Sequence, residues 1–174
     1  SLAVPLIWTP FTHALLHGSW EHVLFNAAWF AIFATPVARR YGAGPMLAIF
    51  FISAAAGAAL FAATTLNSGA YLVGASGGVS GLTGAAVRFI FQPVIVAEDP
   101  ATGQRVVVGR RLASMGEIWR DSRTRSFVLI WVVLNAAVPL LPLLTGTEVA
   151  VAWQAHLGGF IAGIAMVGLF ERRS

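Results

Sequence analysis

Hydrophobic positions in this chain fall in long blocks separated by short polar breaks. The blocks cover 20–37, 45–66, 75–91, 127–144 and 149–170. Each is near the about 20 residues a helix needs to cross about 30 Å of hydrocarbon, so the pattern predicts five membrane-spanning helices. The block at 75–91 is the shortest and is rich in glycine, which places its start below the membrane surface. Residues 1–19 mix apolar side chains with Pro5, Pro10, His13 and His17 and read as a loop at the membrane surface. The one long polar stretch, 92–126, holds two β-branched runs, Val94-Ile95-Val96 and Val106-Val107-Val108, around Asp99-Pro100-Ala101-Thr102-Gly103. That is the signature of a hairpin. Leu112, Met115, Ile118 and Trp119 then recur at helical spacing and predict a short helix lying on the membrane surface.

Composition agrees with a membrane protein: 57% of residues are hydrophobic and 10% charged, against about 25% charged in a soluble domain. The 174 residues suit one helical bundle, a single domain over 1–174 with 92–126 as a linker insert. Cysteine is absent, which removes disulfides and thiolate metal sites. The formal charge is +4 and every basic residue is arginine. Their placement argues against nucleic acid as the partner. Arg39, Arg40, Arg88, Arg172, Arg173 and the arginines of 92–126 all fall on one side of a five-span layout. The opposite loops, 1–19, 67–74 and 145–148, carry none. The positive-inside rule then puts Ser1 outside, and 92–126 and Ser174 in the cytoplasm. An odd number of spans with an outside start leads us to expect one more span before Ser1.

Chemistry concentrates at two helix starts. Gly74-Ala75-Ser76-Gly77-Gly78-Val79-Ser80-Gly81 exposes a serine hydroxyl where free helix-start N–H groups can stabilise negative charge. Ala155-His156-Leu157-Gly158-Gly159 opens the last apolar block. A serine nucleophile with a histidine base fits these groups, whereas a tight helix contact is the simpler use of such glycines. Gly77 and Gly81 on one helix, and Gly159 and Gly163 on the other, form small-residue faces whose packing would bring Ser76 and His156 together. His22 and Asn26, four apart, share a helix face and can both donate towards a developing oxyanion. Glu21 points elsewhere and Glu148 lies in an outer loop, so a Ser–His dyad is expected, not a triad. His13, His17 and His22 invite comparison with a zinc site, yet no acidic or cysteine partner accompanies them, and we assign no metal. The block at 127–144 contains Asn135, Pro139 and Pro142, and the prolines are expected to bend or end its outer part.

These residues resemble the rhomboid family of intramembrane serine proteases. The resemblance rests on His17, His22 and Asn26 in a His-x4-His-x3-Asn pattern, on Gly74-Ala75-Ser76-Gly77, and on Ala155-His156-x-x-Gly159-x3-Gly163. It implies an all-α polytopic bundle with a six-helix core, of which five spans are present. It implies cleavage of transmembrane segments in a cavity open to the extracytoplasmic side, by a multi-pass protein of the bacterial cytoplasmic membrane that needs no cofactor. Ser76 would be nucleophile and His156 general base. His22, Asn26 and the Ser76 N–H would hold the oxyanion, Gly74 would lie beside the substrate, and His17 would support the outer loop. Transmembrane proteins and the lipid bilayer are the implied partners, and 139–144 would border the path by which substrates enter. One departure stands out: the family usually carries an aromatic ring four positions after the serine, packed on the histidine, and here the residue is Ser80. A rhomboid-like binding factor without proteolytic activity is the rival reading. A transporter fits less well, because its site would sit near the midplane and be reached from both sides.

Overall fold

The structure, a computed structural model, describes residues 5–65, 71–137, 140 and 152–171. Its helices are α1 (Pro5–Thr12), α2 (Trp20–Tyr41), α3 (Ala43–Thr64), α4 (Ser76–Ile90), α5 (Met115–Arg120), α6 (Ser122–Ala137) and α7 (Trp153–Met166). A 3-10 turn at His13–Leu15 follows α1, and another at Val167–Phe170 extends α7. Strands β1 (Val94–Glu98) and β2 (Arg105–Arg110) lie between α4 and α5.

The region before α2 is a correction to the loop reading of 1–19. Pro5 can open a helix because its missing N–H is at a position with no intrahelical acceptor, and α1 then packs along α3. By length and composition, α3 and the Trp153–Phe170 helix are apolar enough to cross a membrane. The prolines at 139 and 142, Glu148, and the bend expected at 139–144 lie outside the described residues.

α4 is the hub. Twelve of its fifteen residues are buried, and α2, α3, α6 and α7 all touch it. Glycine, alanine and serine dominate it because neighbouring backbones come too close for larger side chains. A Cβ on Gly159 would run into the Gly77 carbonyl, and one on Gly163 into the Gly81 carbonyl. The contact is broader than the two stripes. A Cβ on Gly84 would meet the backbone of Phe160, and one on Gly57 of α3 would meet the Ala155 carbonyl. Gly81 turns its own hydrogen towards Ser53 of α3, and a Cβ on Gly77 would sit at an ordinary 3.4 Å from the Ala155 oxygen. The close approach therefore depends on the α7 glycines more than on Gly77.

The exterior is apolar. Leu24, Phe25, Ile32, Leu47, Ile52, Leu129, Ile130, Val133, Leu134 and Ile161 are exposed. A water-soluble monomer rarely carries so much continuous apolar surface, whereas a bundle in hydrocarbon does so at no cost.

The far end from Ser76 is tied together by arginines. Arg40 makes a 2.5 Å ion pair with Glu171, whose other carboxylate oxygen accepts from the Tyr41 hydroxyl at 2.8 Å. Arg40 also donates to the Arg110 carbonyl of β2. Arg88 donates from Nε and Nη2 to the Ala113 carbonyl at 2.9 and 2.8 Å, and from Nη1 to the Ile164 carbonyl at 3.3 Å. β1 and β2 pair antiparallel, with a register shift between Ile95 and Val96 that opposes them to Gly109 and Val107. At the turn between them, Asp99 accepts from the Ala101 N–H at 2.8 Å, and Gly103 takes a φ of 67°. A capping box of Ser114 and Glu117 starts α5. The Ser114 N–H, then the Arg111 guanidinium, hold the Glu117 carboxyl at about 2.

Candidate active site

Local sequence fixes where each polar group starts. Ser19 caps α2, its hydroxyl accepting from the His22 N–H at 3.2 Å, which sets His22 in the first turn. Asn26 follows one turn later on the same face and is 4% exposed. Ser76 is the first residue of α4, so its N–H belongs to the helix-start set that lacks intrahelical acceptors. His156 lies in the first turn of α7.

The turn that delivers Ser76 is held from two sides. The Gly74 N–H donates to the His13 carbonyl at 3.0 Å, and the Ala75 N–H points at His17 Nε2 at 3.4 Å. His13 Nδ1 faces the Thr9 carbonyl at 3.1 Å, which requires a proton on that nitrogen. His17 packs edge to face on His22, with ring centroids 5.0 Å apart. Gly74 has a φ of 114°, and a Cβ there would lie 2.7 Å from His22 Cε1. Only glycine satisfies both the backbone angle and the approach of the ring.

With α4 and α7 packed backbone to backbone, the two helix starts meet. Ser76 Oγ and His156 Nε2 are 2.8 Å apart. On the other side of the ring, His156 Nδ1 is 2.8 Å from Asn135 Oδ1 of α6. The Asn135 amide nitrogen donates to the Trp131 carbonyl at 2.8 Å. Ser76, His156 and Asn135 thus lie in one hydrogen-bonded row, in which the expected pair keeps its contact and Asn135 adds a second one to the ring. No acidic group takes the third place among the described residues: Glu21 is exposed to solvent.

A cavity of about 790 Å³ opens beside this chain, lined by Ser76, His156, Asn135, His22, Asn26 and Ser80, with Trp29, Val79, Trp131 and Leu134 as apolar walls. His22 and Asn26 therefore share one space with Ser76. One Asn26 amide N–H is spent on the His22 carbonyl at 2.9 Å; the amide has a second N–H, and the residue lines the cavity. The arrangement can deliver an activated hydroxyl, a proton acceptor and several donors to one point in the cavity.

Asn135 is the site residue that the sequence placed in the 127–144 block without giving it a role. Its signal was an amide inside an apolar block, one turn from Trp131. Spacing makes the contact: Trp131 stacks on Phe160 at 4.3 Å between centroids, and the same four-residue step on both helices carries Asn135 to His156.

The model of the family described as Rhomboid domain matches residues 5–173. Over 160 residues, 92% of this chain, the sequence is 29% identical to a protein named Rhomboid protease GlpG from Pectobacterium atrosepticum. Over 48 residues, 28% of this chain and 17% of the relative, it is 44% identical to a Rhomboid protease GlpG from an Enterobacter species. The longer match spans 47% of the relative's length, so the chain covers about half of it.

Proposed function

Because this chain belongs to the rhomboid family, we propose that it is a multi-pass intramembrane serine endopeptidase that cuts transmembrane segments of other membrane proteins. The observation that carries the reading is the 2.8 Å contact between Ser76 Oγ and His156 Nε2 at the wall of the cavity. In this reading five spans lie between 20 and 170, the Ser76 cavity opens to the extracytoplasmic side of a bacterial cytoplasmic membrane, and 92–126 is cytoplasmic.

The reaction follows from the donors and acceptors. His156 Nε2 takes the Ser76 hydroxyl proton as Oγ attacks the carbonyl carbon of the scissile peptide. The carbonyl electrons move to its oxygen. That oxyanion is met by the Ser76 N–H, the His22 ring and an Asn26 N–H, donors already aimed at the point where the negative charge develops. Collapse breaks the C–N bond, and the leaving amine takes the proton from His156. Water then attacks the acyl ester with His156 again as base, releasing the acid and restoring Ser76. Gly74 keeps the approach to Ser76 open and leaves room for the His22 ring. His17 keeps the turn from swinging out. Gly77, Gly81, Gly159 and Gly163 serve the packing that joins the two helix starts.

The test is incubation of purified protein with a model transmembrane substrate. Ser76→Ala and His156→Ala should each abolish cleavage without changing thermal stability in detergent, and Ser76→Ala should also lose labelling by a fluorophosphonate. Robust cleavage by Ser76→Ala would overturn the proposal. A folded parent that binds substrate without cutting it would favour the binding-factor reading.

A further inference from the structure

We propose that Asn135 is a positioning residue that locks His156 in the tautomer able to act as a base, a proposal that rests on the serine-protease reading of this site.

The argument is a chain of forced donors and acceptors. The Trp131 carbonyl can only accept, and it lies 2.8 Å from the Asn135 amide nitrogen. Turning the amide over would bring two oxygens together at that distance, so Oδ1 must be the atom that faces His156. Oδ1 can only accept, and His156 Nδ1 is 2.8 Å away. Nδ1 must therefore carry the proton. A neutral imidazole has one N–H, so Nε2 is left with its lone pair, directed at Ser76 Oγ at 2.8 Å. The opposite tautomer would set two lone pairs against each other at Asn135 and present a donor to the serine. One backbone carbonyl in α6 thus decides which nitrogen in α7 can accept a proton from α4.

The same bond strengthens during the reaction. When His156 takes the serine proton it becomes imidazolium, and Nδ1–H···Oδ1 becomes charge-assisted. The amide carries no net charge, so it orients the ring fully and stabilises the cation only through its dipole. Among the described residues, the titratable groups facing the ring across the cavity are His22 of α2 and Tyr71 ahead of α4. α3 carries no titratable side chain, Arg88 of α4 lies near that helix's far end, and Arg123 and Arg125 of α6 lie in its first turn. Among the described residues no carboxylate lines the space, and the group that meets His156 Nδ1 is the neutral Asn135 amide.

The direct test needs no substrate. In detergent-solubilised protein labelled with 15N-histidine, the His156 resonances are assigned by difference against His156→Gln. At a pH where the ring is neutral, Nδ1 should carry the proton in the parent. Asn135→Leu should shift the ring towards the Nε2–H form. A parent with the proton on Nε2 overturns the proposal without any variant. Cleavage kinetics form the second arm. Asn135→Leu should lower kcat about tenfold or more, since general-base catalysis is worth about 10²–10⁴, while KM stays near its parent value. Asn135→Asp keeps the acceptor and adds charge. It should retain kcat and move the acidic limb of the kcat/KM profile to higher pH by about one unit or more. If Asn135→Leu does not fold, Asn135→Ala takes its place. A folded Leu or Ala variant with parental kcat and parental tautomer would reduce Asn135 to a helix tie and sink the idea. Failure of the protease reading shows itself separately, as cleavage that survives Ser76→Ala or a parent that does not cleave, whereas the tautomer is read in either case.

Discussion

At the residue scale, the question is what holds the catalytic histidine of the proposed reaction. The rhomboid resemblance implies a ring four positions after the serine; Ser80 stands there, buried at the cavity wall one turn from Ser76. Asn135 grips the ring of His156 from the other helix. If ring and amide are alternative supports for one histidine, their effects should not add. Ser80→Tyr alone should change kcat little, because the amide already holds His156. In an Asn135→Leu background the same change should recover part of the lost activity. Cleavage rates of the two single variants and the double variant measure this. An additive double variant would mean that residue 80 does not act on His156.

At the element scale, the junction of α4 with α7 sets the geometry, and its weight falls unevenly on the glycines. A Cβ on Gly163 would strike the Gly81 backbone, with no flexible side chain to give way. Gly163→Ala should lower stability by about 1–3 kcal/mol, the usual cost of overpacking, and should reduce cleavage by spreading Ser76 from His156. Gly44→Ala, near the start of α3 with open space around it, should be neutral within about 1 kcal/mol. Thermal unfolding in detergent compares the pair, and equal losses would deny the backbone contact its role. α6 is attached differently: Leu129, Ile130, Val132, Val133 and Leu134 are exposed. It meets α7 through the Trp131–Phe160 stack and the Asn135–His156 bond. Part of the site is therefore carried by a helix with a largely open face.

For the whole molecule, polarity runs along the bundle axis. The reactive groups gather at the starts of α2, α4 and α7, and the arginine ties gather at the opposite end, where Arg40, Glu171, Arg88 and Ala113 bind the insert to the helices. Orientation in the membrane is tested with single cysteines in this cysteine-free chain. In intact cells an impermeant reagent should label Leu15→Cys, beside the site, and spare Ala101→Cys at the hairpin turn. The reverse pattern would invert the proposed topology.

What the sequence determined by itself is whatever depends on short-range order and solvent preference. The apolar blocks gave helices at 20–37, 45–66 and 75–91 that overlap α2, α3 and α4, because burial in hydrocarbon or in the core demands internally bonded backbone. The β-branched runs fall in β1 and β2, and the helical spacing of Met115, Ile118 and Trp119 falls in α5. The meeting of Ser76 with His156 was legible because glycine at helix starts marks both close packing and an exposed group. Tertiary structure decided the rest. That α1 is a helix against α3 depends on a surface that sequence alone does not display. That Gly159 and Gly163 matter more than Gly77 depends on which way each Cα hydrogen points after the helices cross. That Asn135 faces His156 depends on the rotation of α6 about its axis, fixed by Trp131 on Phe160 and not by any pattern within 127–144. A polar residue in an apolar block announces that it needs a partner; only packing of the helices chooses which one.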